Sequence, residues 1–357
     1  MTGEDTNRPV HGTASGDAYV ALPPTAVDAV MSGPTRLVVA WPGFDPPRTA
    51  AALAAAIPMT GVPVWRVYLD LPGRSPGGLG SGAILESESI EAYGAAVRNA
   101  AERLPAALDE IRGDLGLPDG PVALAGFSAG AAAALLAVAR GAVPVSAAAL
   151  VAPVVAPSRA ARAVEKRSGR DRAWSDRAAA LADELDLGSL AAGIAGRDVP
   201  TLLISGGKDR VVPPREITAL RDELRRHGAS AVEAATFRMG HALAAEPGTE
   251  ARPPITEAVR VDGVLTDWFR DHLARGPASP SATLEDVPQV HVPQVHVPQA
   301  EARQVDVPQA DVPQVEASRE VVALGDTQPV DPRHGSWAPG GQDAAEARTG
   351  AGVGHGS

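Results

Sequence analysis

The chain contains no cysteine. Thiolate catalysis, Cys-ligated zinc and disulfide bonding are therefore excluded. Lysine is nearly absent as well: Lys166 and Lys208 are the only two, and arginine makes up the rest of the 32 basic residues. Aromatic side chains are only 3% of a sequence that is 45% hydrophobic, so the core must be built from Ala, Val and Leu with its elements in close approach. Positive charge is in deficit, the formal net charge being −11, which argues against nucleic acid or an anionic membrane as partner. No apolar run is long enough to cross a bilayer, because "AAALLAVARGAVPVSAAALVA" is broken by Arg140, Gly141 and Pro144. The opening "MTGEDTNRPVHGTASG" lacks the basic-then-apolar pattern of a secretory signal, and a cytoplasmic protein is expected.

What is present is a regular alternation. From residue 36 onward, short apolar runs ("RLVVAW", "PVWRVYLDLP", "PVALAG", "PVSAAALVAP", "PTLLISGG", "VEAATFR") alternate with helix-patterned segments. The longest, "SESIEAYGAAVRNAAERLPAALDEIRGDLG", reads as a serine-capped helix that Pro105 kinks or splits. Such an order predicts an α/β fold with a mostly parallel sheet and helices on both faces. Continuously apolar strands fit a sheet covered on both sides. Residues 1–34 read as a partly ordered extension with one strand candidate in "DAYVALP", and 35–275 as the main domain. A mostly helical insertion falls at about 156–197.

After residue 276 the composition changes. VPQ recurs from Val287, Val292, Val297, Val307 and Val312, a proline-bearing pentapeptide repeat that suits neither helix nor paired strand. Residues 276–357 are expected to be a disordered, Pro-rich tail, and they hold eleven acidic residues against four arginines.

"GFSAG" (126–130) falls where a strand gives way to a helix. A G-x-S-x-G turn at that place lifts its serine out on a strained elbow, with the next N–H pointing toward whatever Ser128 attacks. By itself the pattern is weak, since a chain of this composition supplies one by chance roughly one time in five. A serine nucleophile needs a base, and the base needs an orienting group. Asp209 in "GGKDRVVP" and His241 in "MGHALA" each follow a later strand, so the sheet would present both beside Ser128. Asp209 has an ordinary alternative as a turn residue before a helix, and His241 as a surface-loop histidine. The oxyanion donors would be Ala129 and, from "VVAWPGFDPP", Phe44 rather than Gly43.

In the order and spacing of "GFSAG", "GGKDRVVP" and "GH", residues 35–275 resemble the α/β-hydrolase superfamily, and "YLDLPGRS" is similar to a segment frequent in it. The resemblance implies Ser128 as nucleophile, His241 as base, Asp209 as orienting acid and Phe44 and Ala129 as oxyanion donors. Trp41-Pro42-Gly43 stands where many members carry His-Gly. The front antiparallel strands of that fold are hard to find in residues 1–34, so a sheet lacking its first strands is expected. A serine at the nucleophile position excludes the dehalogenase and epoxide-hydrolase branches, which use Asp there.

The expected activity is hydrolysis of a carboxylic ester or thioester through an acyl-enzyme, with no metal and no cofactor. An acyltransferase or editing thioesterase served by an acyl carrier protein is the second reading, and a non-catalytic binding module the third. The insertion is expected to cap the site, with Trp174, Ala178, Leu181 and Leu185 on one apolar face. Trp41, Phe127 and Trp174 are pocket candidates, and Arg74 is one for an anionic substrate group.

Overall fold

A computed structural model describes residues 8–274 apart from 26–30, 32 and 74–79. The expectations placed on Arg74 and on the tail after residue 276 lie outside the described residues. Eight strands form one sheet: β1 (Val10–Ala14), β2 (Asp17–Leu22), β3 (Leu37–Trp41), β4 (Trp65–Leu69), β5 (Val122–Phe127), β6 (Val145–Val151), β7 (Thr201–Gly206) and β8 (Val232–Phe237). Their spatial order is β1-β2-β4-β3-β5-β6-β7-β8. The six strands from β4 to β8 run parallel, and β2 joins β4 antiparallel.

The sheet is therefore not short of its first strands. β1 and β2 form an antiparallel hairpin closed by Ser15 and Gly16, whose φ values of 50° and 86° suit the twist of a two-residue turn. Ser-Gly is a weaker turn signal than Asn-Gly, and β1 is an edge strand with His11 and Thr13 in it, so the sequence pattern passes over it. Tyr19 covers Gly12 on the neighbouring strand, where a Cβ would come within 2.5 Å of its ring, and its hydroxyl donates to Asp114 at 2.8 Å.

Helices cover both faces. Val38, Ala40, Ala123, Ala125, Ala147 and Ala149 point to one side, where they pack against α1 (Ala50–Ala56) and α8 (Thr256–Ala274). Leu37, Val39, Trp41, Leu124, Leu150 and Leu203 point to the other, toward α2 (Ser87–Leu115), α3 (Ala129–Arg140) and α7 (Pro214–Arg226). In β3 to β7 the period-2 alternation is legible only as facing, because both sides are buried. The edge strands β1 and β8 are instead exposed along much of their length. α3 is buried at every position from Ala129 to Val138, and its alanines let it lie close on the sheet. α2 runs unbroken through Pro105 and ends on left-handed Gly116. Ser87 does not cap it: Glu86 holds the cap position, and Ser87 Oγ instead donates to Ala173 O and accepts from Ser175 N.

The insertion after β6 holds α4 (Pro157–Ser168), α5 (Asp176–Glu184) and α6 (Ala191–Ala195). α6 packs on α3 and α7 as the crossover helix that returns the chain to β7. α5 lies on α2, with Leu181 and Leu185 against Gly94, where a Cβ would come within 3.0 Å of each. Its apolar face is thus occupied by the body of the fold. Among the described residues, no helix is long and apolar enough to cross a membrane.

Candidate active site

The carboxyl ends of β3, β5, β7 and β8 bring four loops together, as expected for an open α/β sheet. β5 ends in Ser128, whose φ of 54° and ψ of −114° place it outside the regions open to ordinary residues. The flanking glycines make that conformation possible. A Cβ on Gly126 would lie 2.5 Å from Ala131 N, and one on Gly130 would overlap the carbonyl of Trp41 and lie 2.5 Å from Pro42 O. Gly130→Ala is therefore expected to destabilise the protein by about 3 kcal/mol or more, since rigid backbone must give way; urea unfolding measures it.

Ser128 Oγ lies 2.9 Å from His241 Nε2, and His241 Nδ1 lies 2.7 Å from Asp209 Oδ2. All three residues are buried. The other Asp209 oxygen accepts from Val211 N and Val212 N, both at 2.8 Å, which fixes the carboxylate and satisfies the loop amides. An acceptor at Nδ1 assigns the imidazole proton to that nitrogen and leaves the Nε2 lone pair to Ser128. The Phe127 ring supports the imidazole from the sheet side, centroids 5.3 Å apart.

Above Ser128 is a cleft of about 390 Å³, mouth included. Phe44, Ile84, Tyr93, Ala129, Val154 and Val211 give it apolar walls, and Asp45 and Ser89 contribute polar groups. Phe44 meets Tyr93 edge-on at 5.9 Å, and burial pushes the Tyr93 phenol up, so it stays neutral. Ser89 Oγ is buried without a hydrogen-bond partner among the described residues. Gly43 N donates to Pro47 O, back into its own turn, and a Cβ on Gly43 would stand 2.9 Å from that of Ser128. The "WPGF" backbone thus lies directly against the serine, with Phe44 next along and on the cleft.

The structure brings Ser128, Asp209, His241, Phe44 and Ala129 together, but it does not put the other described pocket candidates on the cleft. Trp41 is wholly buried on the α2–α3 side of the sheet, because it is the last inward position of β3. Phe127 is wholly buried on the opposite face, beneath His241. Trp174 precedes α5, donates Nε1–H to Ile84 O at 2.8 Å and carries the Arg172 guanidinium on its ring. It backs the cleft wall from behind. Asp70 is a structural residue that accepts from Ala50 N at 2.5 Å, at the start of α1.

Sequence reading missed Asp45, Ile84, Ser89, Tyr93 and Val154. Asp45 follows Phe44 in "GFDPP", so its place on the same loop was a usable signal; its Oδ2 lies 3.5 Å from His241 Nε2. Ile84 precedes α2, Ser89 and Tyr93 lie in its first turns and Val154 follows β6, and no local motif marks them.

No family model and no curated protein matches the sequence. Solved structures do match in shape. A puromycin-hydrolyzing peptidase of Mycobacterium tuberculosis superposes with a TM-score of 0.52 at 18% identity, over 77% of this chain and 42% of that one. Acylaminoacyl peptidase of Pyrococcus horikoshii gives 0.51 at 12% identity, over 79% of this chain and 44% of that one. An α/β-hydrolase enzyme from the sediment metagenome of the Mar Chica lagoon, Morocco, gives 0.43 at 16% identity, over 73% and 98%. The chain spans less than half the length of either peptidase, and at these identities the likeness is one of fold.

Proposed function

We propose that this chain, whose fold is that of the α/β-hydrolases, is a serine hydrolase that cleaves a carboxylic ester or thioester through an acyl-enzyme. The observation that carries the reading is the continuous path Ser128–His241–Asp209, at 2.9 and 2.7 Å, opening beneath an apolar cleft. His241 Nε2 takes the Ser128 proton as Oγ attacks the carbonyl carbon, and Asp209 stabilises the imidazolium. Backbone N–H groups of Ala129 and Phe44 receive the developing oxyanion, helped by the positive end of α3. The imidazolium returns its proton to the leaving group, and water then releases the acyl group.

Free small-molecule acyl donors fit this reading directly, and a thioester carried by a carrier protein would present the same group. The peptidase neighbours make amide cleavage the competing reading. A matched series decides: acetyl 4-nitrophenyl ester, acetyl thioester and acetyl 4-nitroanilide, with transfer to an added alcohol measured against hydrolysis. Fluorophosphonate labelling that is present in the native chain and absent in Ser128→Ala supports the nucleophile. Lack of labelling and turnover would leave a non-catalytic binding protein.

Ile84→Ala removes wall from the cleft. It is expected to raise kcat/KM for a butyryl over an acetyl ester by about 10-fold, given ~0.8 kcal/mol per buried methylene. An unchanged chain-length profile would place the acyl group elsewhere.

A further inference from the structure

A second carboxylate faces the imidazole. Asp209 holds Nδ1, and Asp45 Oδ2 stands 3.5 Å from Nε2, on the cleft side. Asp45 is held there by its loop's attachment to the histidine loop. Leu243 N donates to Pro46 O at 2.9 Å, Arg48 N donates to Gly248 O at 2.6 Å, and Arg48 pairs with Glu246 at 3.2 Å. Gly248 sits tight under Pro46, where it has no room for a side chain. Gly80 closes the other side, since a Cβ there would come 3.1 Å from Asp45 Oδ1.

We infer that Asp45 is a positioning residue for the water that releases the acyl group, an inference that rests on the hydrolase reading above. Once Ser128 Oγ is esterified, the Nε2 lone pair faces the cleft. A water beside this pair, on the cleft side and within hydrogen-bond reach of both Nε2 and Asp45 Oδ2, has an acceptor for each of its hydrogens, so its oxygen lone pair turns toward the acyl carbon. As that oxygen bonds to the carbon, one proton passes to Nε2 and the carbonyl electron pair moves onto the oxyanion. The carbon–Oγ bond then breaks, Oγ takes the proton back from Nε2, and the carboxylic acid departs with Asp45 unchanged. An alcohol, with one hydrogen to donate, satisfies only one of the two acceptors, so the arrangement favours hydrolysis over transfer.

The test is pre-steady-state hydrolysis of 4-nitrophenyl acetate by the native chain, Asp45→Asn and Asp45→Ala. Both variants are expected to keep a nitrophenolate burst close to one per active site. Their steady-state kcat should fall about 10- to 100-fold, KM should fall with it, and kcat/KM should stay within about 3-fold. Hydroxylamine, which attacks the acyl-enzyme without a positioned base, should speed the variants more than the native chain. Loss of the burst, a parallel fall of kcat and kcat/KM, or unaltered kcat would overturn the inference while leaving the hydrolase reading intact. A native chain with neither burst nor fluorophosphonate labelling would overturn both.

Discussion

Ser128→Ala is expected to reduce ester turnover about a million-fold, to the level that binding and oxyanion donors alone support. The whole path from Asp209 through His241 ends on this one oxygen, so nothing else in the cleft inherits its role. Ser128→Gly separates chemistry from strain. It should lose activity equally yet unfold at higher urea, because glycine accepts a φ of 54° and ψ of −114° that costs a serine about 1–3 kcal/mol. Turnover with a 4-nitrophenyl ester, fluorophosphonate labelling and denaturant midpoints measure the three quantities. Residual labelling in Ser128→Ala would move the nucleophile elsewhere.

Asp209→Asn should be nearly as damaging to rate, about 10⁴-fold in kcat, with little loss of stability. The amide oxygen can still accept from Val211 N and Val212 N, so the loop keeps its shape. Its NH₂ group, however, would face His241 Nδ1 and force the proton to Nε2, which then points a donor at Ser128 Oγ. Asp209→Ala removes the acceptor as well and strands two buried amides, adding about 1–3 kcal/mol of instability. Comparing kcat and urea midpoints across the pair tells orientation from scaffolding. If Asn were active and Ala inactive only through unfolding, Asp209 would be a loop anchor and not the orienting acid.

Much of the site was legible because its residues occupy marked positions. Ser128, Asp209 and His241 each follow an apolar run at a strand end, and parallel topology converts three separate strand ends into one place. Gly126 and Gly130 carry their own explanation in the space they leave empty. The cleft walls were not legible. Ile84, Ser89 and Tyr93 owe their position to where α2 begins relative to the sheet, a long-range packing result that no periodicity reports. Trp174 misled because helical spacing identifies an apolar face but not its partner; that partner is Gly94 on α2, reached through Leu181 and Leu185. β1 was lost for a simpler reason, since an edge strand holding His11, Gly12 and Thr13 has little hydrophobic signal to give.

α3 has no solvent-facing position between Ala129 and Val138, so almost any larger side chain there would displace the helix and with it the serine elbow. Of the cleft walls, Phe44, Ala129 and Val211 belong also to the reactive machinery, whereas Ile84, Ser89, Tyr93 and Val154 lie outside α3 and outside the loops that carry Asp209 and His241. Those four positions are the ones open to reshaping for a new acyl group without disturbing the serine elbow.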